Sequence, residues 1–213
     1  MKIFSESVIQ EAIENAEKNC SAEFSVVIAQ SSDSYQAAYL RWMMLLQIST
    51  AIILFLVEQF KVFGQWHDLY TGHWTAALIL ISALISYFFC LFVPKIRLIL
   101  IDKNEIIKKV REAALASFSD LRLHKTSHRR TVLIFISQLE KRIDLVVDIK
   151  LEGILNEVKI AQLEDIYSSL LKKGNQEKII LKILKELSEL LKENGFPPDG
   201  TKGNEISNKP VNA

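Results

Sequence analysis

The sequence is short of the residues that build disulfide scaffolds and the commoner catalytic sites. Its two cysteines, Cys20 and Cys90, are too few for a disulfide framework, and no CxxC or Cys/His cluster marks structural zinc. Seven glycines and four prolines exclude a collagen-like or low-complexity chain. Neither sign of charge is in excess, with 26 Lys and Arg against 25 Asp and Glu, which argues against a dedicated nucleic-acid binder. No P-loop, nucleophile elbow, HExxH or Rossmann glycine pattern occurs. Apolar residues, by contrast, make up 49% of the chain, and their uneven spread decides the class. At 213 residues there is room for one or two domains.

Residues 74–94 form a run of 21 without a charge. As a helix it is about 30 Å long, the thickness of a bilayer's hydrocarbon layer. Its few polar side chains, Thr75, Ser82, Ser86 and Tyr87, carry hydroxyls that a helix can satisfy on its own carbonyls. An earlier run over 42–57 has 16 uncharged residues and reaches the interface through Tyr39, Arg41, Gln59 and Phe60. Trp42, Trp66, Tyr70 and Trp74 stand where an aromatic belt would lie. The pattern predicts a transmembrane hairpin over 37–97, with spans at about 39–60 and 74–94; two buried helices of a soluble core are the alternative. The first apolar run starts too far in for a signal peptide and lacks a small-residue cleavage site. The link between the spans carries one positive residue, Lys61, whereas Lys95, Arg97, Lys103, Lys108, Lys109 and Arg111 follow the second and Arg41 precedes the first. Positive residues prefer the cytoplasmic side, so the expected protein is an integral cell-membrane (inner-membrane) protein with both termini cytoplasmic and a short external loop.

The flanks read as folded chain. Residues 5–18 make an amphipathic helix with Ser7 and Gln10 as a capping pair, and 23–29 alternate as a strand. A charged helix follows the hairpin over 103–121. TVLIFIS at 131–137 suits a central strand covered on both faces, and 143–148 returns beside it after a turn. Helices over 158–171 and 175–193 come next, with Gly195 as a helix stop. Neither flank can cover its own sheet. The expected fold is therefore one α/β domain, a small mixed sheet flanked by helices, interrupted by the hairpin. Residues 1–36 and 98–195 supply its two parts, and 196–213 form a flexible tail.

Several stretches resemble the TPM-domain family, the group of thylakoid-lumen phosphatase and photosystem II repair proteins that includes bacterial membrane proteins with a two-helix insertion. They are IENAEKNCSAEFSVVIAQSSDSY, FVPKIR, LRLHKTSHRRTVLIFISQLEKRIDLVVD and GFPPDGTKGNEISN. Thr126, Arg129, Ser137, Glu140, Arg142 and Asp148 fall in register with the family's pattern. The sequence departs from it at Cys20-Ser21-Ala22-Glu23 for T-S-G-E, at Thr131 for a glycine, and at Lys150 for the glycine of D-x-G-I. The resemblance implies an αβα sandwich and, since some members are described as acid phosphatases or divalent-cation binders, an acidic site. Ligands in open α/β sheets gather beyond strand ends. Asp33, Asp148 and Glu152 are the expected oxygen ligands for Mg²⁺ or Ca²⁺, and such an ion would polarise a phosphoryl oxygen. The plainer reading makes Asp33 and Asp148 turn residues that accept local backbone hydrogen bonds. The resemblance also pairs Arg129 and Arg142 with Glu140 or Glu23 in a structural role.

Other candidates are weaker. Cys20 reads as a structural thiol before a reactive one, and Cys90 as packing. His67, Asp68 and His73 cluster in the link without a recognised ligand spacing. The basic stretch 125–130 suits the phosphate groups of lipid or nucleic acid, or merely solvent and acidic helix residues. Ser82 and Ser86 form a small-xxx-small pair, and the oligomeric state stays open. Two functions follow. One is a non-enzymatic interaction, assembly or quality-control module on the lipid bilayer that engages membrane proteins and no nucleic acid; the other is a metal-assisted acid phosphatase.

Overall fold

The computed structural model describes residues 6–60, 72–92, 98–126, 128–198 and 208–212. The chain divides into two units, one formed by Ser34–Ile106 and the other by the residues on either side of it.

The larger unit is built on three apolar strands that cannot be left open to water. They are β1 (Glu23–Ala29), β2 (Thr131–Ser137) and β3 (Arg142–Val147). β1 and β2 are buried along their whole length, as strands covered on both faces must be. β1 runs parallel to β2 from Glu23↔Thr131 to Ala29↔Ser137, so the two flanks do share one sheet. β2 and β3 form an antiparallel hairpin. A short parallel strand β4 (Val211–Asn212) pairs with Val27 and Ile28, and the sheet order is β3-β2-β1-β4. Val211 and Asn212 thus belong to the sheet, although 196–213 reads as a tail.

Side chains alternate across a sheet. One face carries Phe24, Val26, Ile28, Val132, Ile134, Ile136, Ile143 and Leu145. It forms the main core with α1 (Glu6–Asn19), α5 (Glu157–Lys173) and α6 (Gln176–Glu193). Each of these helices presents an apolar stripe at helical spacing, such as Ile9, Ile13 and Ala16 or Ile180, Ile183, Leu184, Leu187 and Leu191. Asn156 and Asn175 cap α5 and α6 by accepting the N–H groups of Lys159 and Glu177. Ser7 lies inside α1, not at its cap. α6 ends as expected at Gly195, whose φ of 98° lets the Phe196 N–H reach back to the Leu191 carbonyl at 3.1 Å. The other face carries Val27, Leu133, Phe135 and Val146, all buried. On that side α4 (Lys103–Asp120) buries Val110 and Ala114, and its Arg111 reaches β3.

The smaller unit holds α2 (Gln36–Phe60) and α3 (Gly72–Phe92), which pack on each other. Residues 36–57 are long and apolar enough to cross a membrane, and none of their most apolar stretch is buried. The second expected span, 74–94, does not meet that measure: its apolar stretch is Ala76–Phe89, too short, so among the described residues one helix and not two is long and apolar enough to cross. Met44, Ile48, Ile52 and Phe55 on α2, and Leu80, Leu84, Ile85 and Phe88 on α3, are all exposed. Ser49 and Thr50 donate to the Leu46 carbonyl and Ser82 to that of Ile79, whereas the buried Ser86 hydroxyl has no hydrogen-bond partner among the described residues. Trp66, Tyr70 and Pro94 lie outside the described residues.

Candidate functional site

The expected carboxylate trio is not brought together. β1 ends at Ala29 and β2 at Ser137 on one side of the sheet, and Asp33 follows there. The hairpin then reverses direction, so β3 ends on the opposite side, where the Asp148 N–H donates to the carbonyl of Thr131, the first residue of β2. A seven-residue strand separates the two ends by about 20 Å. Glu152 is exposed in the turn after Asp148. Among the described residues no group of three or more His, Cys, Asp or Glu side chains is arranged to hold a metal.

At the Asp33 end the polar groups tie two loops together. Lys109 of α4 pairs with Asp33 and with Glu112, both at 3.3 Å. Asp33 first and then Glu112 hold its ammonium above the ordinary value. Glu140, in the β2–β3 turn, is buried. It accepts the Ser32 N–H at 3.0 Å, the Ser31 hydroxyl at 3.4 Å and the Ser137 hydroxyl. A buried carboxylate with three donors is charge-satisfied, and it fastens the loop after β1 to the hairpin.

The Asp148 end has a different partner from the one expected. By register, Glu23, Thr131 and Asp148 stand side by side on the face that α4 approaches. Glu23 and Asp148 are only 4% and 6% exposed. Asp148 Oδ1 accepts the Ile149 N–H at 2.7 Å, as the turn reading expects, while its Oδ2 is buried with no hydrogen-bond partner. Thr131 shares a hydroxyl contact of 3.1 Å with Thr126. Glu23 therefore takes the place given to Asp33. One signal for it was in plain view, since it is the sole charged residue in a strand otherwise apolar or small.

A third set lies on the outer edge of β3 and was not foreseen. Arg111 Nη1 donates to Asp144 Oδ1 at 2.6 Å and to the Leu145 carbonyl at 2.9 Å. Glu164 of α5 accepts the Leu145 N–H at 2.8 Å, and Ser168 Oγ accepts that of Ile143 at 3.0 Å. Burial pushes the Asp144 carboxyl up against the pull of Arg111 and Arg142. Burial, aided by the Asp144 charge, pushes Glu164 up to about 7. All of these groups face an edge strand, and what they do is close it.

The remaining candidates are quickly placed. Cys20 is buried and its thiol points at the Ala16 carbonyl at 3.4 Å, a packing role. His67, Asp68 and the side chains of His73 and Cys90 lie outside the described residues. In the basic stretch, Arg130 donates to Ser21 at 3.1 Å and stacks on Phe196, 5.1 Å from the ring centre. Arg142 pairs with Asp165 of α5 at 3.7 Å.

Sheet and helices define a mixed α/β protein. No family model matches the chain, and no curated protein does. Among solved structures it is similar to the NMR structure of the BA42 protein from the psychrophilic bacterium Bizionia argentinensis. The two share 15% identity and a TM-score of 0.58, over 100% of this chain and 98% of that one. At that identity the likeness is one of fold.

Proposed function

We propose that the protein is a membrane-anchored module of the TPM-domain kind, whose α/β domain engages membrane-protein partners in assembly or quality control and catalyses nothing itself. α2 and α3 form its two-span anchor, and both flanks lie on the cytoplasmic side, as the distribution of Lys and Arg favours. The observation that carries the reading is the apolar surface of α2, where Met44, Ile48, Ile52, Ile53, Phe55 and Leu56 stand exposed. Leaving that much apolar area in water is costly, at roughly 25 cal/mol per Å², and lipid is the medium that removes the cost.

The test is fractionation followed by partner capture. The protein is expected in the membrane pellet after alkaline carbonate washing, and cross-linking in native membranes is expected to return it bound to another membrane protein. Release into the carbonate supernatant overturns the anchor.

A second reading, the metal-assisted phosphatase, is favoured by one observation, the unpartnered buried Oδ2 of Asp148 beside Glu23. Two carboxylates and a threonine hydroxyl are suitable ligands for Mg²⁺ or Ca²⁺. Mg²⁺-dependent phosphate release that disappears in Asp148→Asn would replace the first reading with this one; no release under either condition retires it.

A further inference from the structure

Residues 121–130, which join α4 to β2, hold Arg122, Lys125, Arg129 and Arg130 and not one acidic residue, in a chain whose net charge is only +1. Arg122, Lys125 and Arg129 are exposed, and among the described residues none of the three forms an ion pair. Arg130, by contrast, is used by the fold, through Ser21 and the Phe196 ring. The turn after β3 adds to the same end of the sheet. Because the Asp148 N–H bonds the Thr131 carbonyl, Ile149 and Lys150, both exposed, follow beside Arg130. Asp120 and Glu152, exposed at the margins, neutralise only part of this charge.

The basic segment is fixed in place. Leu123 is buried, the Lys125 N–H reaches the Arg122 carbonyl and the Arg129 N–H that of Thr126. The Thr126 hydroxyl lies 3.1 Å from that of Thr131. The cations therefore stand on a set backbone, and little backbone entropy is lost when something binds them. Two of them occupy positions better suited to glycine. Arg122 has a φ of 53° and Arg129 one of 52°, in the left-handed region that an L side chain resists and glycine enters freely. Strain kept at two cationic positions points to a use for their side chains outside the fold.

The matching ligand is anionic, and its source is narrowed by the surroundings. The chain leaves this unit after Asp33 and re-enters it at Ile107. Lys109 pairs with Asp33, so both points lie at the other end of β1 and β2, about 20 Å from the basic segment. On the anchored reading those exits lead to the bilayer, more than a screening length away, which disfavours lipid headgroups. Nucleic acid calls for a wider basic footprint and stacking rings, and 121–130 holds no Phe, Tyr or Trp. Exposed Leu121 and Ile149 instead give the cations apolar neighbours, the mixture found in protein interfaces.

We propose that Arg122, Lys125, Arg129 and Lys150 form a docking surface for an acidic segment of a partner protein, with Leu121 and Ile149 receiving its apolar side chains. The proposal rests on the partner-engaging reading above and supplies the chemistry of the partner.

The full chain, purified in neutral detergent, is titrated with a fluorescent peptide of repeated Glu-Glu-Leu and with the same peptide carrying Gln for Glu. The acidic peptide is expected to bind at least about tenfold more tightly at low salt, and salt at about 0.5 M should erase the difference. Arg122→Gly with Arg129→Gly should weaken the acidic peptide at least about tenfold yet melt close to the wild type, since glycine suits both backbones. Lys125→Gln with Lys150→Gln repeats the test without touching a left-handed position. No binding of the acidic peptide, or binding that both double variants keep, overturns the proposal. So does a single-stranded oligonucleotide that binds more tightly than the peptide, or phosphatidylglycerol in the micelles that displaces it; the surface then belongs to nucleic acid or to lipid. Both variants should stay in the carbonate pellet with the wild type, so failure of the anchor and failure of this surface are read apart.

Discussion

Glu164 accepts the Leu145 N–H at 2.8 Å, where the backbone of a further strand would otherwise bond. One turn along α5, Ser168 does the same for Ile143, and Arg111 supplies the complementary donor to the Leu145 carbonyl. Two helices thus imitate a neighbouring strand with side chains, and the unpaired edge that invites aggregation is removed. The arrangement places a carboxyl beside Asp144 in a partly dry site, and that has a consequence for pH.

Glu164 moves from an ordinary 4.5 to about 7, through burial first and the Asp144 charge second. The folded chain therefore keeps this proton up to about 7 while the unfolded chain releases it near 4.5. Between those values the folded state binds more protons, so stability falls as pH rises through the window. Glu164→Gln keeps an oxygen for Leu145 and abolishes the ionisation. Thermal unfolding is expected to show the variant about 1 kcal/mol more stable than the wild type at pH 8, after discounting for a part-exposed carboxyl. At pH 5 the two should coincide.

Removing Arg111 leaves buried Asp144 without its hydrogen-bonded cation, with only the weaker pull of Arg142, and the Leu145 carbonyl without this donor. Arg111 is itself 42% exposed in its side chain, so Arg111→Met should cost about 2 kcal/mol, below the range for a fully buried pair. Asp144→Asn in the same chain should recover part of the loss. Because burial already raises the Asp144 carboxyl, protonation relieves the stranded charge, and the cost should be smaller at pH 5 than at pH 8. Denaturant midpoints at the two pH values check both points.

Much of this fold can be read from the sequence, and the parts that cannot share a cause. Glu23–Ala29 and Thr131–Ser137 are bounded apolar runs, and their limits coincide with the observed strands. Val211–Asn212 offers no run at all; its strand character comes from β1, a tertiary effect invisible locally. The pairing of Asp33 with Asp148 ignored what a tight hairpin does, since reversing the chain sends alternate strand ends to opposite sides of the sheet. Arg111 and Glu164 look like ordinary charges on amphipathic helices. Yet Ile160, Glu164 and Ser168 fall on one line at i, i+4, i+8, and Ile160 and Ser168 are buried. A charge flanked so closely by buried residues is the signal that could have marked it.

Gly195 holds φ at 98°, which a side chain resists although nothing lies within 4 Å of a Cβ built there. The penalty is conformational, without a clash. Gly195→Ala should lower stability by about 1 kcal/mol or slightly more, read as a drop in melting temperature, and should loosen the Phe196 contact that follows.

Ile53 lies within the apolar helix 36–57 and is 59% exposed. If lipid covers it, Ile53→Arg places a charge among acyl chains at a cost of about 2.5–3.5 kcal/mol near the centre of a span. The variant is expected to shift measurably from membrane to supernatant on fractionation. Unchanged partition would mean that this face does not meet lipid.

Glu140 offers the sharpest separation of a structural carboxylate from a ligand-binding one. Its donors are the Ser137 and Ser31 hydroxyls and the Ser32 N–H. The hydroxyls can turn to suit a new partner, but the backbone N–H cannot. In Glu140→Gln the amide oxygen can keep the Ser32 N–H while the nitrogen donates to the turned Ser137 hydroxyl, so the cost should be about 1 kcal/mol or less. Glu140→Ala strands the Ser32 N–H and the Ser137 hydroxyl, while the Ser31 hydroxyl keeps the Asp33 carbonyl at 2.7 Å, and should cost about 2–3 kcal/mol. Glu140→Ala should speed amide exchange at Ser32, and Glu140→Gln, which keeps an acceptor there, should change it little. A structural tie predicts that this loss is the same with and without added Mg²⁺. If Mg²⁺ protects Ser32 in the wild type and not in Glu140→Gln, the carboxylate holds a cation and its role as a loop fastener is secondary.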